Sequence, residues 1–247
     1  MGLEGLSDRL NGLTVALTGA SRGIGRACAR QLAAWGANLV LGSRNIGMLE
    51  QVQAELTRSY PDVQVVVLPL DVTDSASVDS FAEGAVQAFG SVDALVNSAG
   101  WGVFERALDL TEEQFDRMVA VNLKGTFLCC QAFGRRMLEQ GHGHIINLVS
   151  IAGTTALAGC AGYSASKFGV LGLTKVLQTE WRRQGVQVTA VIPGSVDSSF
   201  WDGMESTPDR NDMIPEETIA AHIVNLLGAP PGAYVDEVTI MPPKGIL

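Results

Sequence analysis

Seven short runs of aliphatic and β-branched residues, separated by longer stretches with helical periodicity, limit this chain's folds more than any other feature. A short apolar run, a helix-length segment and a second run make a βαβ unit, and stacked units make a parallel sheet covered on both faces. The pattern predicts strands over Leu13 to Thr18, Asn38 to Gly42, Val63 to Pro69, Ala94 to Asn97, His144 to Ser150, Val186 to Ile192 and Tyr234 to Met241. Helices are expected over Ile24 to Trp35, Ile46 to Ser59, Ala76 to Phe89, Glu112 to Gln140, Tyr163 to Gln184 and Glu216 to Leu227. Thr111 followed by Gln114 is a capping-box start for the fourth helix, and Gly141 is its stop. The fold class is therefore α/β: a doubly wound, parallel, seven-stranded sheet with helices on both faces.

No repeat, low-complexity tract or Pro/Ser-rich linker divides the 247 residues, so residues 1–247 are read as one domain. Hydrophobic residues make up 47% and charged residues 17%, enough to build a core and too apolar for disorder. The net charge of −9, with no basic cluster to offset it, argues against nucleic acid or an anionic membrane as partner. The doublets Arg135-Arg136 and Arg182-Arg183 fall near helix C-termini, where they offset the helix dipole.

Cys28, Cys129, Cys130 and Cys160 have no CxxC spacing and read as buried free thiols of a reducing cytoplasm. His142, His144 and His222 lack metal-ligand spacing, so no metal site is expected. Met1 to Asn11 lacks a basic region followed by an apolar stretch, and Leu6 stands where a myristoylation signal needs Ser or Thr. No run approaches the length of about 18 apolar residues of a membrane span. The expectation is a soluble, cytoplasmic protein.

Between Asp197 and Ile214, Gly203, Pro208, Asn211 and five acidic residues are mixed with Phe200, Trp201 and Met204. A polar stretch carrying such aromatics after a strand's carboxyl end is expected to be a lid over a pocket, at residues 197–214.

Two constellations carry chemistry. Thr18-Gly19-Ala-Ser-Arg-Gly23-Ile-Gly25 follows the first strand and opens the first helix, a turn that brings backbone amides and a helix N-terminus onto a pyrophosphate. Its GxxxGxG spacing by itself is moderate evidence, because such turns also serve packing. Tyr163 and Lys167 are four apart, so on a helix the ammonium lies beside the phenol and favours phenolate. Ser150 leaves the fifth strand toward the crevice where such sheets bind ligands.

With Asn97-Ser-Ala-Gly100, Asn122 and Pro193-Gly194, these motifs occur in the order and spacing of the short-chain dehydrogenases/reductases, which the chain resembles over nearly its whole length. The resemblance implies a Rossmann-like fold with strand order 3-2-1-4-5-6-7, a nicotinamide cofactor and catalysis by Asn122, Ser150, Tyr163 and Lys167. Cofactor contacts are implied at Gly19, Ser21, Arg22, Gly23, Ile24, Gly25, Ser43, Arg44, Asp71, Val72, Asn97, Ala99, Gly100, Tyr163, Lys167, Pro193, Gly194, Val196 and Ser198. Asp71 and Val72 would border the adenine, and Val196 and Ser198 the nicotinamide carboxamide. Asn122 would sit at a helix kink holding a water that relays protons from Lys167. Ser98 replaces the family's usual second asparagine, a change for strand support rather than chemistry.

At the end of the second strand, Ser43 and Arg44 stand where an NAD site has a carboxylate, and Arg22 adds a second cation. Two guanidiniums without a carboxylate favour a 2′-phosphate, hence NADP(H). The expected reaction is NADPH-dependent reduction of a ketone or aldehyde, with Tyr163 as acid and Ser150 on the carbonyl oxygen. Trp101, Val103, Phe104, Ala152, Leu157, Phe200 and Trp201 would line an apolar pocket for a small-molecule carbonyl substrate.

The nearest look is to 3-oxoacyl-acyl-carrier-protein reductases, so a 3-oxoacyl-thioester reductase is the alternative. Against a carrier protein stand Gly141 and Gln184, at places where those enzymes are basic, although both arginine doublets are close by. The acids Asp197, Asp202, Glu205, Asp209 and Asp212 would also repel a polyanionic carrier. The tail, ending in Leu247, lacks the family's frequent glycine pair and puts tetramer geometry in question. A catalytically silent NADP(H) sensor or scaffold is the rival of another class. Apolar residues beyond one sheet-facing stripe, Val119, Phe127, Leu128, Phe133, Phe168, Leu171 and Leu177, predict a homodimer or homotetramer through the two long helices.

Overall fold

The strands are β1 (Thr14–Thr18), β2 (Asn38–Ser43), β3 (Val65–Pro69), β4 (Ala94–Asn97), β5 (Gly143–Leu148), β6 (Val186–Pro193), β7 (Val196–Asp197), β8 (Ile214–Pro215) and β9 (Glu237–Ile240). Among the described residues seven of them form one parallel sheet in the order β3-β2-β1-β4-β5-β6-β9, the arrangement expected of the Rossmann-like class. The computed structural model describes residues 3–204 and 207–247; Met1, Gly2 and Glu205, which entered the reading above, lie outside the described residues.

All five residues of β1 are buried, as a strand covered on both faces requires. One face is covered by α1 (Leu3–Leu10), α2 (Gly23–Ala34), α3 (Ile46–Ser59) and α8 (Glu216–Leu227), which contribute Leu10, Leu32, Leu49 and Ile219 to a common core. The other face is covered by α4 (Ser75–Phe89), α6 (Gly125–Gln140) and α7 (Ala161–Trp181), with Phe81 edge-on to Phe133 at 5.8 Å. The helix α1 was not anticipated: its two buried leucines, Leu6 and Leu10, are too short a pattern to separate from a loop.

The stretch expected as one helix over Glu112 to Gln140 begins with the capping box, Gln114 N donating to Thr111 Oγ1 at 3.2 Å, and ends at left-handed Gly141, φ 74°. Its interior is not uniform. A π-helical turn, Val119–Lys124, separates α5 (Glu112–Met118) from α6 and carries Asn122. The residues expected to form a second apolar face divide: Phe133, Leu171 and Leu177 are buried in the intramolecular core, whereas Phe127 and Phe168 remain exposed.

After β6 the chain leaves the sheet. The two-residue strands β7 and β8 pair in parallel and join the ends of the segment at residues 197–214. All four cysteines are free and buried. Among the described residues, no helix is long and apolar enough to cross a membrane, and no three His, Cys, Asp or Glu side chains are grouped to hold a metal.

Candidate active site

The glycine turn joins β1 to α2 under tight steric terms. A Cβ at Gly19 would lie 2.8 Å from Ala99 Cα, and one at Gly25 would lie 2.6 Å from the Gly19 carbonyl oxygen, so side chains are excluded by backbone. Arg22, the N-cap residue of α2, provides no side-chain cap, and the first amides of a twelve-residue helix face the turn without one. A bare helix N-terminus in a cradle that admits only glycine suits a diphosphate. Ser21, Arg22, Gly23 and Ile24 lie on this turn, and Gly23 closes on the start of the 197–214 segment, its Cβ position 3.7 Å from Ser198 Cβ.

Ser43 ends β2 and spends its hydroxyl on Asn45, accepting from the backbone N–H at 3.2 Å. Arg22 and Arg44 are both exposed, and among the described residues neither makes an ion pair. Asp71 follows β3, where its carboxylate accepts from Thr73 N at 2.9 Å and Thr73 Oγ1 at 2.7 Å. Those bonds hold its pKa below the ordinary value, with a smaller contribution from the nearby Arg44 charge. The cation at Arg44 therefore sits near one carboxylate without being consumed by it.

Ala99 and Gly100 follow β4, and the β1–β4 junction is tied by Thr18, whose Oγ1 accepts from Ser98 N at 3.1 Å and Ala99 N at 3.0 Å. Asn97 turns into the sheet: its Nδ2 donates to Asn147 Oδ1 at 2.8 Å, and Asn147 Nδ2 donates to Thr174 Oγ1 at 2.9 Å. This buried ladder cross-links β4, β5 and α7, and leaves Asn97 Oδ1 without a partner. Pro193 closes β6, Gly194 N donates to Ile240 O at 2.8 Å, and Val196 begins β7.

The four candidate chemical residues meet at the carboxyl edge of β5. Ser150 leaves the strand and accepts from Ala152 N at 3.2 Å, and Tyr163 stands on the first turn of α7, near enough to Ser150 for the serine to lower its pKa. Lys167, one turn on, is buried; its Nζ donates to Leu148 O at 2.7 Å and lies 5.7 Å from the Tyr163 ring centre. Asn122 clamps Trp101 from both sides, accepting from its N–H at 2.9 Å and donating to its carbonyl at 2.8 Å. Its Nδ2 also donates to Ser166 Oγ at 2.9 Å.

The electrostatics differ from the sequence expectation. Burial pushes Tyr163 up to about 12, with the Ser150 hydrogen bond pulling the other way, and burial lowers Lys167 to about 8. The expected depression of the phenol by Lys167 is absent because the ammonium is aimed at the Leu148 carbonyl and desolvation dominates both groups.

Of the pocket residues, Phe104, Phe200 and Trp201 gather on Tyr163, with ring centroids of Phe104 and Phe200 at 5.5 and 5.6 Å from it. Trp101 turns instead under the Arg117 guanidinium at 4.2 Å, Ala152 is buried, and Leu157 lies in the loop before α7. The acids of the 197–214 segment are largely engaged. Arg210 bridges Asp197 at 3.0 Å and Asp202 at 2.8 Å, and Lys244 holds Asp212 at 2.8 Å. Two cations therefore offset two of the five acidic charges expected to repel an anionic carrier. Sequence reasoning missed Arg210, Gly102 and Ser166; Ser166 stood inside the Tyr163–Lys167 motif, whereas Arg210 gave no signal.

A family model described as short chain dehydrogenase matches residues 13–209. An uncharacterised oxidoreductase of Staphylococcus aureus (strain USA300) is 37% identical over 226 residues, 92% of this chain and 95% of that protein. A D-threitol dehydrogenase of Mycolicibacterium smegmatis is 41% identical over 225 residues, 87% of this chain and 86% of that one. Among solved structures, an alcohol dehydrogenase from the archaeon Thermococcus sibiricus complexed with 5-hydroxy-NADP superposes with a TM-score of 0.86 at 32% identity, covering 92% of this chain and 95% of the other.

Proposed function

The chain belongs to the short-chain dehydrogenase/reductase family and is an oxidoreductase of alcohol and carbonyl groups; within that class we propose that it is an NADPH-dependent carbonyl reductase. The observation that carries this reading is the meeting of Ser150 at the carboxyl end of β5, Tyr163 on the first turn of α7 and Lys167 one helical turn on, at the strand edge beside the glycine turn. NADPH, when bound, supplies the hydride. The turn from Gly19 to Gly25, Ser43, Arg44, Asp71, Val72, Asn97 to Gly100, Lys167 and Pro193 to Ser198 would hold it.

Tyr163, protonated at neutral pH, donates its phenolic proton to the substrate oxygen as charge develops there. Ser150 holds the same oxygen by a hydrogen bond and fixes the carbonyl's orientation. Lys167 then returns a proton to the phenolate. The Asn122 side chain has its amide committed to Trp101 and Ser166, so its share of the relay falls to its backbone carbonyl, which accepts from Thr126 Oγ1 at 2.7 Å and keeps a second lone pair for water.

Two exposed arginines without ion pairs, and no carboxylate at the end of β2, support NADP(H) over NAD. The archaeal alcohol dehydrogenase's complex with an NADP derivative points the same way. Phe127 and Phe168, exposed on α6 and α7, support a homodimer through those helices.

The test is NADPH oxidation by the purified protein across ketones, aldehydes and an acyl thioester. Tyr163→Phe should lose on the order of 100-fold or more in turnover while binding NADPH normally by fluorescence titration. Near-normal turnover by this variant would overturn the mechanism, and no turnover by the native protein on any carbonyl would return the chain to the silent-sensor alternative.

A further inference from the structure

We infer that this reductase selects flat, apolar carbonyl compounds, with an aromatic or conjugated cyclic body that Phe104 and Phe200 hold against Tyr163. The inference rests on the carbonyl-reductase reading above and adds the substrate class. Four rings converge where that substrate must reach. Phe104 stands edge-on to Tyr163 at 5.5 Å and 82°, and Phe200 tilts over it at 5.6 Å and 48°. Trp201 backs both, at 5.3 Å from Phe104 and 5.7 Å from Phe200.

Gly102 makes this convergence possible. A Cβ there would lie 2.8 Å from Phe200 Cζ and 2.9 Å from Tyr163 Cδ2, inside both rings.

Several polar atoms around the rings are already engaged. Trp201 Nε1 donates to Val196 O at 2.9 Å, Ser198 Oγ accepts from Phe200 N at 3.3 Å, and Arg210 occupies the carboxylates of Asp197 and Asp202. Ser150 and Tyr163 are the hydroxyls that the proposed mechanism offers to substrate, and one carbonyl oxygen uses both. A polyol ketone brings further hydroxyls that would face aromatic edges and faces unpaired, and each such loss lowers affinity. An aryl ketone meets those rings in the offset and edge-to-face arrangements that aromatic pairs prefer.

The ring over Tyr163 in this structure is that of Phe200. Its centroid distance of 5.6 Å leaves no room for a third ring between them, so Phe200 must draw back for the substrate ring to enter between it and Tyr163. Phe200 sits on a three-residue turn, Ser199–Trp201, whose outer ties are the exposed ion pairs of Arg210. The protein's own phenyl group thus has the shape of the group to be bound.

The experiment compares kcat/KM, with NADPH, for acetophenone, a methyl alkyl ketone of similar size, erythrulose and an acetoacetyl thioester. Acetophenone should exceed erythrulose by about 100-fold, the scale on which an apolar pocket discriminates. Phe200→Leu and Phe104→Leu, which keep an apolar side chain, should each reduce the aryl-over-alkyl ratio by about 10-fold, chiefly through KM, because they remove the ring–ring contact. In parallel, calorimetry in the presence of NADP⁺ measures 1-phenylethanol against threitol. Tighter binding of 1-phenylethanol supports the inference even if no carbonyl is turned over, a result that would sink the reductase reading alone. Preference for erythrulose or the thioester, equal binding of the two alcohols, or an aryl-over-alkyl ratio unchanged in both leucine variants would overturn it.

Discussion

Lys167 is a cation placed where charge is expensive. Its ammonium is buried against Leu148 O, and burial brings its pKa from the ordinary 10.5 to about 8. The unfolded chain therefore binds more protons between those values, and stability gains from this group as pH rises from about 8 toward 10.5; below pH 8 the cost of the buried charge is present in full. Thermal midpoints of the native protein should rise across that window relative to those of Lys167→Met, and the two curves running parallel would refute the assignment. The same variant should lose about 100-fold or more in turnover, because the phenolate is no longer reprotonated. Arg44 tests cofactor choice at the same scale. One charge-assisted contact to a phosphate contributes about 1.5 to 3 kcal/mol, so Arg44→Ala should weaken NADPH roughly 10- to 150-fold and NADH little. Fluorescence titration of both cofactors decides it, and equal weakening would remove the 2′-phosphate from the argument. Residue identities at both places were legible from sequence because hydroxyls, ammonium and guanidinium carry their chemistry with them. Direction was not: Lys167 was expected to depress Tyr163, and the field inside the fold instead leaves the phenol raised.

Between elements, the connection from β5 to α7 decides whether Ser150 reaches Tyr163. It crosses α7 at Gly153, where a Cβ would lie 2.8 Å from Lys167 O and 2.7 Å from Val149 Cγ1. Backbone on one side and a buried side chain on the other leave little room to yield. Gly153→Ala should therefore cost about 1–3 kcal/mol by overpacking, seen as a lower thermal midpoint. Turnover should fall by about 10-fold or more as Ser150 shifts, with NADPH affinity retained. Normal kcat would show that this crossing does not set the Ser150–Tyr163 geometry. The π-helical turn at Val119–Lys124 has the same role for Asn122, aiming its amide at both backbone groups of Trp101. The family resemblance implied a kink at Asn122, a mediocre helix former in mid-helix. It did not indicate the kind, because a π turn depends on what packs against the helix.

In the whole molecule, the two longest helical stretches were expected to carry a second apolar face. Phe133, Leu171 and Leu177 turned out to serve the core, while Phe127 and Phe168 are 42% and 46% exposed and Val176 52%. Large side chains left this open on α6 and α7 are the surface on which the proposed dimer would form. Phe168→Asp should convert that dimer to monomer in light scattering at micromolar concentration, with the far-UV signature of the fold intact. A native protein that is fully active as a monomer would return these side chains to mere surface.

The order of apolar runs and helical stretches by itself determined the doubly wound parallel α/β class, since parallel βαβ units leave few topologies that cross over correctly, and the family resemblance implied the strand order. The glycine spacing and the Tyr163–Lys167 interval likewise determined what stands at the carboxyl edge, because backbone tolerance and helical periodicity are local properties. Packing alone decided the rest: that Phe200 and Phe104 close on Tyr163 through the gap at Gly102, that Arg210 pairs with two acids read as repulsive, and that Phe133, Leu171 and Leu177 of an apparent interface belong inside. Each depends on residues far apart in the chain meeting across a distance that no local pattern encodes, and on the desolvation that follows when they do.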